Sequence, residues 1–448
     1  MTVGERAVEP GNRSIPVTER RFLVPFVLIT TLFFLWAFGV NLNDILIPHL
    51  KKAFSLTDFQ SSFIQVAFFG GYFLAAFPAG RVMERIGYKK GILAGLSLCA
   101  VGALLFIPAS SSRLYEFFLF ALFVMACGQS FLEVAANPYV TILGPPASAE
   151  RRLNFAQSFN AVGAVLSPLV GRAFILSGVE YSPAQIAAMS TAQLDAYRSA
   201  EASTVKGPYV IMAGIFVLVG VLIELAHLPD VHDPVASSSG TRAGAGLASV
   251  FSQAHLLKGV IAQFFYVGAQ VGVASFVIRY AQFSVPGTPA KTAALYLLLH
   301  QIGFMAGRFI GSAMMKKIAA ARLLSLFAAA SVVCTIVALA ASGRIPVYAV
   351  VLIGFFHSIM FPTIFALSIK NLGPLTKRGS SLLVMAIIGG AFFPAIMGKI
   401  SDASSIQKAF IVPLLCYVFI LYFGLRGYRP AGVLQAESVP PDNQGALA

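Results

Sequence analysis

Apolar runs of about twenty residues or more dominate the chain, broken by short stretches carrying Gly, Pro and basic residues. A helix of that length, rising ~1.5 Å per residue, matches the ~30 Å hydrocarbon core of a bilayer. Hydropathy read in windows of that size predicts twelve helical spans. The first six cover 22–50, 58–80, 90–109, 114–142, 153–177 and 208–228. The second six cover 257–284, 290–314, 323–341, 345–371, 379–402 and 407–427. Between the two sets lies a stretch rich in Ser, Gly and Ala, as expected of a flexible linker. The predicted organisation is a leader (1–21), a six-helix bundle (22–228), a linker (229–256), a second six-helix bundle (257–427) and a disordered tail (428–448). The expected fold class is all-α, with inverted three-helix repeats inside each bundle.

Composition agrees with that pattern. The chain is 57% hydrophobic and only 11% charged, against ~25% charged for a soluble domain. A net charge of +14 would suit a nucleic-acid partner if the basic residues were clustered. They are instead dispersed among the loops and concentrate on one side, that of the termini and the linker, which predicts a cytoplasmic location for that side. No nucleic-acid partner is therefore expected. The opposite side receives residues 178–207, an outer loop with a short surface helix. The first apolar run begins near Phe22 and is longer than the h-region of a signal peptide, so no cleavable signal is expected. Four cysteines fall inside apolar runs and read as packing residues.

Two carboxylates break the apolar pattern. Asp44 lies in the first run and Glu133 near the end of the fourth. An ionisable group at membrane depth costs at least ~2.5–3.5 kcal/mol, so it normally faces a polar cavity and has a function there. Neither has a Lys or Arg within a few turns on the apolar part of its span, which favours the neutral, protonated form. Such a group can load a proton on one side and release it on the other, and when ionised it accepts hydrogen bonds from hydroxyls. Both are flanked by amides, Asn41 and Asn43 in one case, Gln129 and Asn137 in the other. Pro138 follows Asn137 and frees a backbone carbonyl toward the interior. Asp44 and Glu133 are the candidates for proton coupling.

Recognition of a polyhydroxylated solute needs amides and aromatic faces. Asn43, Glu133, Asn137, Gln157 and Asn160 are the candidates in the first half. Gln157 and Asn160 are spaced to share one helix face. Span seven adds Gln263, Tyr266 and Gln270 at helical spacing. Tyr280, Gln301, Asn371, Phe131 and Phe159 are further candidates. His300 and His357 are expected to be hydrogen-bonded packing residues rather than proton relays. Arg279 and Arg308 are expected near span ends with snorkelling side chains, and Arg172 near the outer surface. No nucleotide-binding loop, metal-ligand cluster or nucleophile–base pair stands out, so neither a cofactor nor enzymatic activity is expected.

The stretch Gly80-Arg81-Val82-Met83-Glu84-Arg85-Ile86-Gly87-Tyr88-Lys89-Lys90 resembles the loop signature of the major facilitator superfamily. Its glycines suit a tight turn, and its alternating charges suit ion pairs between helix ends. Gly80, Glu84, Arg85, Gly87 and Lys89 are thus candidates for a conformational gate. The second half echoes this stretch from Gly307, and Leu143-Gly144-Pro145 is echoed by Leu372-Gly373-Pro374.

The stretches starting at Asn41 (NLNDILIPHLKKAF), Leu132 (LEVAANPYVTILGP) and Arg151 (RRLNFAQSFNAVGA) together resemble the fucose permease and glucose/galactose porter family of sugar–proton symporters. The resemblance implies uptake of a hexose or deoxyhexose with a proton, in a bacterial inner membrane. It also implies that Asp44 and Glu133 serve proton coupling and sugar binding. A monomer is the expected state. The rival reading is a proton-coupled drug exporter, suggested by Gly163-x-x-x-Ser167-Pro168-x-x-Gly171-Arg172, which partly matches an antiporter signature. Ser167 and Arg172 depart from that signature. A non-transporting sensor would need a sizeable soluble domain, which these tails do not supply.

Overall fold

The computed structural model describes residues 16–54, 58–112, 114–174, 185, 188–226, 228 and 247–430, and all regular structure among them is helical. The middle of the expected linker, 229–246, and the tail from 431 lie outside the described residues. Helix α1 is Leu23–Phe54. One stretch, Asp58–Ser112, carries both α2 (58–86) and α3 (88–112). As a straight helix it would be about 80 Å long, more than twice a bilayer core. Gly87, at φ +79° and ψ 176°, divides it into two spans, and that backbone conformation strains any residue with a Cβ.

The first half continues with α4, Tyr115–Ile142, and α5, Ala149–Phe174. A surface helix, Thr191–Ser203, precedes α6, Lys206–Leu225. The second half runs through α7 (Ala254–Ser284), α8 (Ala290–Met314), α9 (Ala320–Ala340), α10 (Arg344–Ile369), α11 (Gly373–Ala403) and α12 (Lys408–Gly427). Each of the two matched Leu-Gly-Pro loops leads into a 3₁₀ turn, Pro146–Ser148 and Gly373–Leu375.

Among the described residues, ten stretches are long and apolar enough to cross a membrane, and α5 is not one of them. Its first turns carry Arg151, Arg152, Asn154, Gln157 and Ser158, and all five are buried against protein rather than lipid. Arg152 shows how. Its guanidinium donates to the carbonyls of Val140 at 2.6 Å, Val17 at 2.9 Å and Pro145 at 3.3 Å, to Ser148 Oγ at 3.0 Å, and also to the carbonyl of Thr141. Val140 and Thr141 lie in the last turn of α4, where the helix dipole favours a cation, and the Val140 carbonyl also accepts from the Leu143 N–H at 3.3 Å.

Within the first half α1 packs on α5, while α4 and α6 pack on the α2–α3 pair. Within the second, α7 packs on α10, α11 and α12, and α8 and α9 pack on α10. The halves meet where α2 and α4 touch α11 and where α5 touches α8 and α10. The polar contacts between halves gather toward one face, that of the Gly87 turn, which also carries the loops at 143–148 and 370–375. Arg378 grips Glu84 in a two-pronged bond, Nε to Oε1 at 2.5 Å and Nη2 to Oε2 at 3.0 Å. Lys370 Nζ reaches Glu150 Oε1 at 2.9 Å, and Lys377 Nζ lies 5.0 Å from the centre of the Tyr88 ring. Any Cβ at Gly80 would collide with Ser381 Oγ, so the missing side chain lets α2 and α11 close on each other. This basic face is pinned shut.

Gly80→Leu is expected to hold the basic face apart. Spin labels at the exposed positions Lys90 and Lys317, one on each half, should give a longer mean distance in the variant than in the parent. An unchanged distance would mean that the α2–α11 contact does not control closure.

Candidate functional site

Glu133 and Asn137 lie one turn apart on α4, both buried. The carboxylate is within hydrogen-bonding reach of the Asn137 side chain and within electrostatic reach of Arg308. Asn137 Nδ2 donates to the Glu133 carbonyl at 3.0 Å, and its Oδ1 accepts from Gln157 Nε2 on α5 at 2.9 Å. Gln157 in turn accepts twice from Arg308 Nη1 of α8, through its carbonyl at 2.6 Å and its Oε1 at 2.9 Å. A donor chain therefore runs from a guanidinium of the second half, through two amides, toward a carboxylate of the first half.

Arg308 corrects an expectation. It does not snorkel from a span end but is 4% exposed in the interior, its charge 4.7 Å from the Phe304 ring centre. Its hydrogen-bond acceptors come from Gln157 of α5. Arg279, by contrast, is exposed and lies over the Phe276 ring at 4.2 Å.

Behind Arg308 sits a second polar group wholly inside the second half. Tyr266 donates to the His357 carbonyl at 3.0 Å, and His357 Nε2 shares a 2.6 Å hydrogen bond with the Tyr417 hydroxyl. The His300 ring lies 6.0 Å from that of His357 and is bonded through Nδ1 to the Val350 carbonyl at 3.2 Å. Both histidines are buried and hydrogen-bonded. Tyr266 is fully buried here, and Tyr280 is spent on the Ala338 carbonyl at 2.6 Å. Asn160 and Gln270 are half-buried, and Gln301 and Asn371 are exposed. Gln129 and Gln263, one in each half, are fully buried with neither amide atom hydrogen-bonded. Buried amides in that condition are costly, about 1–3 kcal/mol each, and suit a polar solute.

Asn43 and Asp44 fall on α1, toward the end remote from the basic face; their side chains, and that of Arg172, lie outside the described residues. Ser167 of the partial antiporter signature donates to the Phe38 carbonyl at 2.9 Å, which gives that motif a packing role between α5 and α1. Of the gate candidates, Glu84 and Gly80 make the contacts to α11 described above. Lys89 instead ties the α2–α3 turn to the end of α6, donating to the Glu224 carbonyl at 2.7 Å, and Arg85 is exposed. Among the described residues no cluster of His, Cys, Asp and Glu can hold a metal.

Twelve helices in two sets, forming among the described residues ten stretches long and apolar enough to cross a membrane, with buried polar groups bridging the sets, have the architecture of a membrane transporter of the alternating-access type. Residues 29–394 match the Major Facilitator Superfamily model, and the chain belongs to that superfamily. It is 42% identical over 413 residues to a glucose/galactose transporter of Brucella abortus, covering 92% of this chain and 96% of the relative. It is also 42% identical over 411 residues to the L-fucose-proton symporter of Escherichia coli, covering 90% and 93%. A crystal structure of the transporter FucP in its outward conformation superposes with a TM-score of 0.84 at 41% identity, covering 91% of this chain and 99% of that one.

The donor chain makes a thermodynamic prediction. Gln157→Leu leaves Asn137 without its donor and Arg308 with one acceptor fewer, at a cost of about 1–3 kcal/mol. A double-mutant cycle with Asn137→Leu, read by thermal unfolding in detergent, should give a coupling of roughly 0.5–3 kcal/mol. Strict additivity would show that the two amides do not act as one unit.

Proposed function

We propose that this protein takes up a monosaccharide, a hexose or 6-deoxyhexose, by proton symport through alternating access. The observation that carries the reading is the Arg308–Gln157–Asn137–Glu133 chain. It joins the two halves at the one buried carboxylate among the described residues, using amide groups that also suit sugar hydroxyls. The names of the relatives, glucose/galactose transporters and L-fucose-proton symporters, support the same substrate class. They do not favour a drug exporter.

In this reading Asp44 takes up the proton and Glu133 couples it to sugar. Asn43, Glu133, Asn137, Gln157, Asn160, Gln263, Tyr266 and Gln270 bind the sugar as the halves 22–228 and 257–427, joined by the linker 229–256, rock about the site between them. The termini are cytoplasmic by the distribution of basic residues, so the pinned basic face leaves the site open to the outside. A sugar that occupies Asn137 and Gln157, or a proton that neutralises Glu133, competes for the groups that hold Arg308 on α5. Arg308 then lets go, and the basic face can open. Glu84, Arg378, Gly80 and Gly87 form the gate, Lys89 and Arg85 flank it, and the working unit is a monomer.

Purified protein in liposomes with an internal pH dye tests this. External addition of one sugar from a panel of hexoses, deoxyhexoses and N-acetyl sugars is expected to acidify the lumen. Asp44→Asn should abolish the signal, and Glu133→Gln should reduce it at least about tenfold, the loss of one charge-assisted hydrogen bond. If no sugar moves protons while lipophilic cations do, the sugar reading fails.

A further inference from the structure

The α3–α6 contact leaves a cleft of about 290 Å³ on the outer wall of the first half, lined by Leu96, Ser97 and Ala100 of α3 and by Val217, Gly220 and Glu224 of α6. The small residues Ala100 and Gly220 make it concave. A Cβ at Gly220 would meet only Leu96, at 3.9 Å. The residues around it, Val101, Val217, Leu218 and Val221, are exposed apolar side chains on membrane-spanning helices, so lipid is what reaches the cleft.

At the basic-face end of the cleft the chemistry becomes specific. The Glu224 side chain is 64% exposed, and Lys89 Nζ lies 3.6 Å from its Oε2. Two of the three Lys89 donors are spent on the carbonyls of Glu224 and Ala226, at 2.7 and 3.4 Å. The ammonium is thereby turned inward, while the carboxylate keeps acceptor capacity toward the headgroup layer. An exposed carboxylate repels a phosphate that has no accompanying cation, and it gains hydrogen bonds from an ammonium that still carries N–H groups. Lys90, next in sequence, is an exposed cation at the same end of α3. We propose that this cleft is a phospholipid site selective for a primary-ammonium headgroup, with the acyl chain along Gly220, the ammonium on Glu224 and the phosphate toward Lys90.

Native mass spectrometry of the full chain, titrated with an equimolar mixture of phosphatidylethanolamine, phosphatidylcholine and phosphatidylglycerol, tests the assignment. The parent should retain phosphatidylethanolamine about two- to fivefold over the others, the worth of one exposed charge pair. Glu224→Gln should erase that preference while leaving total lipid retention similar. Gly220→Phe should lower retention of all three lipids alike, with circular dichroism and thermal unfolding reporting that the variant is folded. Lys89→Met should keep the preference, since its ammonium does not serve the headgroup. Equal retention of the three lipids by the parent, or an unchanged preference in Glu224→Gln, would overturn the proposal.

Discussion

A guanidinium inside a membrane must be hydrogen-bonded, and Arg308 finds its acceptors in the opposite half. It lies about 9 Å short of the end of α8, too deep to reach water easily. Burying a charge without partners would cost several kcal/mol. The backbone and side-chain oxygens of Gln157 both accept from Arg308 Nη1, while Nε is left without a partner, and those bonds hold only while α5 and α8 are in contact. One buried side chain thus makes the stability of this conformation depend on the polar groups of the central site. Glu133 lies at the other end of the same chain, where Asn137 Nδ2 donates to its backbone carbonyl, so the residue bearing the buried carboxylate and α8 are joined through two amides.

The two seams between the halves are built differently. Along α5 the cross-links follow one helical stripe. Glu150 meets Lys370, Asn154 Nδ2 meets Thr363 Oγ1 at 3.0 Å, and Gln157 meets Arg308. Their spacing of four and then three residues puts one bond on each turn. Along α2 and α11 the contact is steric at Gly80 and ionic at Glu84. The α5 seam reaches the central site; the α2–α11 salt bridge lies at the rim of the basic face. A change in the site is therefore felt first along α5.

Much of this was legible in the sequence. Run length predicts the twelve spans of the fold, and the depth of Glu133 points to the buried polar cluster inside it. The i, i+4 spacing of Glu133 and Asn137 together with the Gln157 stripe gave half of the donor chain. Arg308 was missed although the rule that picks out Glu133 also applies to it. The resemblance of its neighbourhood to the Gly80 motif suggested a span end, and only the depth of α8 shows otherwise. Tyr266 is a cavity candidate on helical spacing alone, and spacing does not reveal that its hydroxyl donates to the His357 carbonyl. Spacing says which residues share a face, but not which neighbour that face meets, and here it meets α10. The first turns of α5, with Arg151, Arg152, Asn154, Gln157 and Ser158, are too polar for lipid and so are covered by other helices.

The strength of these seams also matters for movement between states. Lipid tails are as apolar as leucine, so no hydrophobic force holds one helix set against the other inside the bilayer. What remains is packing and hydrogen bonds, and interhelical bonds measured in membranes average only ~0.6 kcal/mol. A few such bonds, plus one two-pronged Arg378–Glu84 pair at the rim, hold the closed face by a margin that a bound solute can offset. Burying large interlocking side chains along α5 would have fixed the halves in one arrangement. Hydrogen bonds that can be exchanged one for one with the hydroxyls of a solute allow two arrangements of similar energy, and alternating access requires such a near balance.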